Sequence, residues 1–255
     1  MMGREPTDAP SAVGQPLFAT THWSVVLAAA NHETPEAAAA LERLCGTYWY
    51  PLYVYVRRRG YGPEDAQDLT QQFFALLLQK DYFRLADPAR GRFRTFLLHA
   101  LEHFVINEWK RAHRLKRGGG AVCLPLDLPA GEQRYALESA NSTTPEQAYE
   151  KRWALTLLDQ VLASLRQQYT AAKKERLFDE LARLLWGKDS NSRSDSYVAV
   201  GARLGMSENA VRVAMHRLRE RYRQLLKAEV AQTVASPGEV DEEVRYLLRV
   251  VSGTV

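Results

Sequence analysis

Apolar residues recur every three to four positions over most of this chain, and that spacing predicts an all-α protein. The helical segments run over 36–59, 64–79, 93–114, 146–168, 172–186 and 197–226, with a short last one over 239–251. Pro51 interrupts the first segment, so we expect a kink or a boundary there. The first half of the chain lacks the alternation of apolar and polar residues that is typical of strands.

The loops between these segments divide the chain into two small helical domains. Pro, Gly, Ser and Thr cluster over 119–144, and this stretch is too long for a connection inside one compact domain, so we predict a flexible linker. The predicted organisation is an N-terminal leader with a short helix near Trp23 (1–36), a first domain (37–118), the linker (119–144), a second domain (145–232) and a C-terminal extension with an amphipathic helix (233–255).

Two helical segments meet at Leu204-Gly205-Met206-Ser207 and predict a helix-turn-helix. Gly205 takes a left-handed backbone without steric cost, and Ser207 is a favourable cap for the second helix. The apolar stripe of that helix is Val211, Met215, Leu218, Tyr222 and Leu225, and the basic residues off the stripe are Arg212, His216, Arg217, Arg219 and Arg223. A basic second helix of this kind enters a DNA major groove. The alternative is an ordinary helical hairpin with a solvated basic face.

The net positive charge of the chain is small, but its basic residues are concentrated in two clusters. Its 255 residues are 46% hydrophobic and 25% charged, as in an ordinary globular protein, and the formal net charge is only +4. However, Lys110 to Arg117 holds five Lys or Arg in eight positions, and Arg212 to Lys227 holds six. Two such clusters predict two separate contacts with a polyanion, unless both are merely solvated helix faces.

Several other classes of protein are disfavoured. Cys45 and Cys123 are too few and too far apart for a disulfide framework or a metal pattern. We see no signal peptide and no apolar run of membrane-spanning length, which predicts a cytoplasmic protein without a membrane partner. Phosphate-binding glycine motifs and a nucleophile elbow are missing too, so we expect neither an enzyme nor a cofactor.

One short pattern of histidines would instead favour a metal enzyme. His99, Glu102 and His103 match the spacing of an inverted zinc-peptidase motif, in which two histidines of one helical face share a metal. No downstream acidic motif supplies the third ligand that such a site needs. We therefore interpret these histidines as surface residues and predict no metal.

The helix over 93–114 combines aromatic and cationic residues. Phe93, Phe96, Phe104 and Trp109 alternate with arginines and lysines from Arg90 to Arg117. Part of this segment must be core, but rings that stack on bases and cations that contact phosphates are also what single-stranded nucleic acid requires. The segment therefore predicts a second nucleic-acid surface.

Taken together, the two halves resemble the extracytoplasmic-function (ECF) class of bacterial RNA polymerase sigma factors, of the sigma-70 family, over about 37–118 and 145–230. Residues 64–74 (EDAQDLTQQFF) look like the polymerase-binding helix of the family, with Gln72 where Glu is usual. The resemblance implies that Asp68, Gln71 and Gln72 contact the clamp helices of the largest polymerase subunit, within a polymerase-binding set that also includes Asp65, Leu69 and Phe73.

Residues 92–111 look like the family's helix that handles the melted −10 element, with Phe96 where Trp is frequent. The resemblance implies single-strand contacts from Arg92, Arg94, Phe96, His103, Asn107, Lys110, Arg111 and Arg114. The loop over about 84–92 matches the segment that captures an extruded base, which must leave the stack before a protein pocket can read it.

The segment from Ser196 to Arg223 looks like the family's −35-reading helix-turn-helix, with Ala199 where many members carry Glu. By helical geometry the residues expected at base edges are Asn209, Arg212, Val213 and His216, behind Ser207 at the helix start. Arg203, Arg217 and Arg219 are better placed for phosphates.

The resemblance implies a sigma factor that binds core RNA polymerase, at the clamp helices and the beta flap, and directs transcription initiation at promoter DNA. An anti-sigma factor or another regulator is a further possible partner. The first alternative is a helix-turn-helix transcriptional regulator that acts without core polymerase, and the second is a metal-dependent hydrolase built on His99 and His103. The amphipathic tail helix has an apolar side at Val240, Val244, Leu247, Leu248 and Val251, which predicts packing on a domain or autoregulation.

Overall fold

Helices make up nearly all of the described chain. The computed structural model describes residues 35–79, 86, 91–112, 128–138, 144–186 and 197–253. Four predicted features lie outside the described residues: the leader, with the short helix predicted near Trp23, most of the 84–92 loop, the glycine run at 118–120 and the polar loop at 187–195.

The described residues form nine α-helices, and no strand occurs among them. The all-α prediction is therefore confirmed for this part of the chain. The helices are α1 (Pro35–Arg58), α2 (Pro63–Gln79), α3 (Phe93–Ala112), α4 (Leu128–Glu138), α5 (Pro145–Ala171), α6 (Glu175–Trp186), α7 (Tyr197–Leu204), α8 (Glu208–Ala231) and α9 (Val240–Ser252), with a short 3-10 turn over Pro237–Glu239 before α9.

The structure tests two expectations about helix boundaries. Pro51 lies inside α1 and does not end it. The central helix α5 begins at Pro145, one residue before the predicted start, and Thr144 caps it. The Thr144 hydroxyl accepts from the backbone N–H of Gln147 at 3.2 Å, and the Gln147 side chain accepts from the Thr144 N–H at 3.1 Å. This reciprocal pair satisfies two of the free amides at the start of the helix.

The larger hydrophobic cluster combines residues from both sides of the predicted linker. It joins α1, α2 and α3 with the first half of α5, the end of α8 and the tail helix α9. Tyr48 and Phe93 meet edge to face at 5.6 Å, and Phe73 lies 5.7 Å from Phe104. Trp153 of α5 is almost fully buried in the same cluster. The two halves of the chain are therefore packed against each other.

A smaller cluster holds the end of α5 together with α6, α7 and the start of α8. Its buried residues are Leu165, Phe178, Leu181, Val200, Val211, Met215 and Leu218. Val211, Met215 and Leu218 lie on the apolar stripe that the sequence predicts for α8, and Val200 belongs to α7. None of the described helices is both long and apolar enough to span a membrane.

Helix α4 lies inside the 119–144 segment, for which the sequence predicts no helix. It docks on α1 through polar contacts: Glu132 accepts from Arg57 at 2.9 Å and from the Tyr53 hydroxyl. Arg57 also lies over the Tyr135 ring, 4.6 Å from its centroid. Partial burial opposes the charge on Glu132, but the hydrogen bonds from Arg57 and Tyr53 prevail and lower its pKa.

Candidate nucleic-acid interface

The turn between α7 and α8 is tightly built. Gly205 has a φ of +67°, the left-handed conformation that favours glycine, and the Met206 N–H donates to the Gly201 carbonyl at 2.8 Å. The Ser207 hydroxyl then accepts from the Ala210 N–H at 3.2 Å and caps α8, as the sequence predicts. Gly201 is equally important, because a Cβ there would lie 2.5 Å from the Met206 carbonyl oxygen.

The outer face of α8 carries most of the predicted base-reading residues. Asn209, Arg212, Val213 and His216 are all exposed, and so are Arg217 and Arg219. Val213 is 42% exposed. The opposite face of the helix is anchored in the smaller cluster, so this exposed face has a rigid support.

Two arginines of the helix-turn-helix, Arg212 of α8 and Arg203 of α7, differ in their surroundings. Arg212 pairs with Glu208 one turn earlier at 2.5 Å and lies over the Tyr197 ring. The hydrogen bond to Glu208 raises the pKa of Arg212. Arg203 instead contacts the mostly buried Glu180 at 2.8 Å, so in this structure it ties α7 to α6 rather than standing free for a phosphate.

A second exposed face runs along α3. His103, Asn107 and Lys110 are exposed and lie on one side of the helix, since four and seven positions correspond to one and two turns. Phe96 is half-buried and stacks on Phe93 at 5.9 Å. The side chain of Arg111 and all of Arg114 lie outside the described residues.

Beside this face the structure contains a cleft of about 660 Å³ between α3 and the turn after α1. Its walls are Arg58, Arg59, Gly60, Tyr61, Val105, Ile106, Trp109 and Pro145. Trp109 is 55% exposed. Sequence reasoning missed the contribution of Arg58, Arg59 and Tyr61, although the arginine run before Gly60 was a usable signal.

Arg94 does not join the exposed face of α3. It precedes His103 by nine positions, which is roughly half a rotation on an α-helix, and its side chain is only 2% exposed. It pairs with Glu150 at 2.9 Å and stacks over the Trp153 ring at 4.3 Å. The structure thus gives Arg94 a place between the two halves, where the sequence-based expectation was contact with a single strand.

Helix α2 presents only part of the predicted polymerase-binding set. Asp65 and Asp68 are exposed, and Leu69 and Gln72 are half-buried. Gln71 and Phe73 are buried, and Phe73 packs on Phe74 and Phe104. In this structure these two residues are buried among neighbouring side chains, and a partner that contacts the exposed side of α2 would meet the other four.

His99 and His103, which match the spacing of the zinc-peptidase motif, are both exposed on α3. Among the described residues, no group of three or more His, Cys, Asp and Glu side chains is arranged to hold a metal ion.

Comparison of the chain with models of protein families, with curated proteins and with solved structures finds no match.

Proposed function

We propose that this protein is a sigma factor of the ECF type, which binds core RNA polymerase and directs it to promoters. The proposal joins three surfaces: a duplex-reading face on α8, a single-strand face on α3 and a polymerase-binding face on α2. None of them requires catalysis by the chain itself. The two DNA contacts would shift the equilibrium from closed to open promoter.

The outer face of α8 is the observation that carries the proposal. Side chains near the start of a capped helix reach base edges when the helix enters the major groove. Arg212 suits a guanine, Asn209 suits an adenine, and the exposed methyl groups of Val213 suit the methyl group of a thymine.

The face of α3 supports the second DNA contact. His103, Asn107 and Lys110 lie in a row along α3, and the nearby cleft is lined by the indole of Trp109 and by two arginines. A ring that stacks on a base contributes about 1–3 kcal/mol, and cations along the groove interact with phosphates in any sequence. A single strand is the form of nucleic acid that offers unstacked bases to such a surface.

The outer face of α2 supports the contact with polymerase. Asp65, Asp68 and Gln72 are separated by three and four positions, so they lie on one side of the helix. Their acidic and amide groups complement a basic partner helix. The buried Phe73 beneath them keeps this face in place.

Run-off transcription with purified core polymerase tests the proposal. We expect the wild-type protein to bind core and to produce a transcript from at least one promoter of a genomic library. Asp68→Lys should reduce core binding, whereas Glu42→Lys, which changes an exposed acid of α1 in the same way, should not. A protein that neither binds core nor yields any specific transcript is not a sigma factor. If it still binds specific duplex DNA, the regulator without polymerase becomes the better explanation.

A further inference from the structure

The tail helix α9 contributes a buried acid to the interface between the two halves. Glu243 of α9 is fully buried, and its carboxylate pairs with both Arg92 and Arg94 at the start of α3. The contact with Arg94 measures 2.7 Å between Nη1 and Oε1, but the atoms are not aligned as a hydrogen bond, so it is mainly an attraction between charges. Tyr246, one turn further along α9, lies 5.6 Å from both guanidinium groups.

The charges of this cluster balance. Two guanidinium groups, of Arg92 and Arg94, face two carboxylates, of Glu150 on α5 and Glu243 on α9. Burial alone would disfavour the charge of Arg94, but the two carboxylates outweigh it and raise its pKa. Removing one partner of such a cluster leaves an unpaired buried charge, which is strongly unfavourable. The cluster therefore couples the position of α9 to that of α3.

A second contact holds the other side of α9. Lys227 of α8 pairs with Asp241 at 2.7 Å, and both side chains are exposed to solvent. The apolar side of α9 lies in the larger hydrophobic cluster, where Leu247 is almost fully buried. The packing expected of this helix from the sequence is present for Val240, Val244, Leu247 and Val251, whereas Leu248 is 51% exposed and lies off the buried side. The helix bridges the end of α8 and the start of α3.

This closed packing conflicts with simultaneous reading of both promoter elements. The difference between positions −10 and −35 is 25 base pairs, which is about 85 Å of duplex at 3.4 Å per pair. A compact chain of this length has a radius of gyration of about 18 Å, hence a diameter of about 47 Å. The α3 face and the α8 face cannot reach both elements unless the halves separate.

We propose that α9 is an intramolecular latch, in which the Glu243 carboxylate takes the place of a DNA phosphate on Arg92 and keeps the two halves closed. The proposal rests on the proposed function, since a promoter with two elements is what requires the open form. Arg92 immediately precedes α3 and its side chain is 35% exposed, so once released its guanidinium is available to a phosphate that approaches the exposed face of α3. Opening adds a cation to that face and releases α8 to a distant site.

Glu243→Gln in the full-length chain tests the latch, with Glu242→Gln as the matched control. Glu242 is the exposed neighbour of Glu243, so both variants lose one negative charge but only one of them loses the buried contact. We expect Glu243→Gln to bind a fluorescein-labelled single-stranded oligonucleotide about three- to tenfold more tightly, because a larger fraction of molecules is open. Small-angle scattering should show a larger radius of gyration. Glu242→Gln should change neither.

Asp241→Asn provides a second variant that leaves the buried cluster intact. It removes the exposed contact with Lys227 and should act in the same direction with a smaller effect. Equal DNA affinity and equal radius of gyration in Glu243→Gln and Glu242→Gln overturn the latch, as does weaker DNA binding by a folded Glu243→Gln.

The failure of the latch and the failure of the proposed function are read from different assays. Unchanged DNA affinity in a Glu243→Gln variant that still supports run-off transcription overturns the latch alone. A wild-type protein that neither binds core nor directs a transcript overturns the sigma assignment, and the latch with it.

Discussion

Gly201→Ala tests the geometry of the turn between α7 and α8 most directly. In an unobstructed helix interior, replacing Gly by Ala stabilises a protein by about 1 kcal/mol. At Gly201 the new methyl group would lie 2.5 Å from the Met206 carbonyl oxygen and 3.6 Å from a methyl of Val211. The obstacle is backbone, and the Met206 N–H is itself bonded to Gly201, so neither side moves without disturbing the turn.

The clash should reverse the usual sign of the substitution. Overpacking of this kind costs about 1–3 kcal/mol, and the upper part of that range applies when a backbone atom must shift. After subtracting the gain in helix propensity, we expect a net loss of about 1–2 kcal/mol, or roughly 2–8 °C in Tm. The same shift of α8 should weaken binding to duplex DNA.

Gly46→Ala is the matched control. Gly46 also lies inside a helix, but nothing lies within 4 Å of a Cβ built there. This variant should therefore gain about 0.5–1 kcal/mol. Both are measured by urea unfolding followed by far-UV circular dichroism. If Gly201→Ala is as stable as Gly46→Ala or more so, the close approach of α7 to the turn is wrong.

Three further predictions concern single side chains. Arg212→Ala should lower affinity roughly 5- to 150-fold at one −35 position only, whereas Arg217→Ala should weaken all duplexes alike and reduce the salt dependence of binding by about one ion. Binding to a panel of single-base duplex variants at several salt concentrations separates the two. Glu132→Gln should destabilise the chain near neutral pH: the folded pKa of Glu132 is lowered, so its contribution is present above the unfolded pKa of about 4.3 and disappears as the pH falls below it. Urea unfolding of both proteins across that range measures the difference. Burial raises the pKa of Cys45 to about 11, so in a Cys123→Ser variant iodoacetamide at about pH 8 should label Cys45 roughly 100-fold more slowly in the folded than in the unfolded chain.

The α7–α8 segment shows how far local pattern reaches. The stripe of Val211, Met215 and Leu218 is buried, and Ser207 caps the helix, because both features depend on residues within a few positions of each other. The same periodicity placed Asn209 and His216 on the opposite, exposed side. These predictions required no knowledge of the rest of the molecule.

Helix α4 shows where local pattern fails. Pro129 and Gly131 make its segment resemble a linker, and local propensity for helix is weak there. The helix is supported by contacts with α1, where Glu132 meets Tyr53 and Arg57. A Cβ at Gly131 would lie 2.7 Å from the Trp49 ring, so the glycine permits a close approach of two helices rather than a flexible link.

Arg94 illustrates the same limit at the candidate interface. The resemblance assigned it to single-stranded DNA together with Arg92, but its angular position on α3 is opposite to that of His103. Its actual partners, Glu150 and Glu243, lie 56 and 149 positions further along the chain. Periodicity alone could have indicated that Arg94 faces inward, but not which carboxylates pair with its guanidinium.

The sequence by itself determined that the described part of the chain is helical, where α8 is capped and which of its faces is exposed, because these properties depend on neighbours in the chain. Only the tertiary structure decided that the two halves share one hydrophobic cluster, that α4 docks on α1 and that α9 places Glu243 between Arg92 and Arg94. Those contacts depend on how distant helices pack. A buried charge is stable only where that packing supplies its partner.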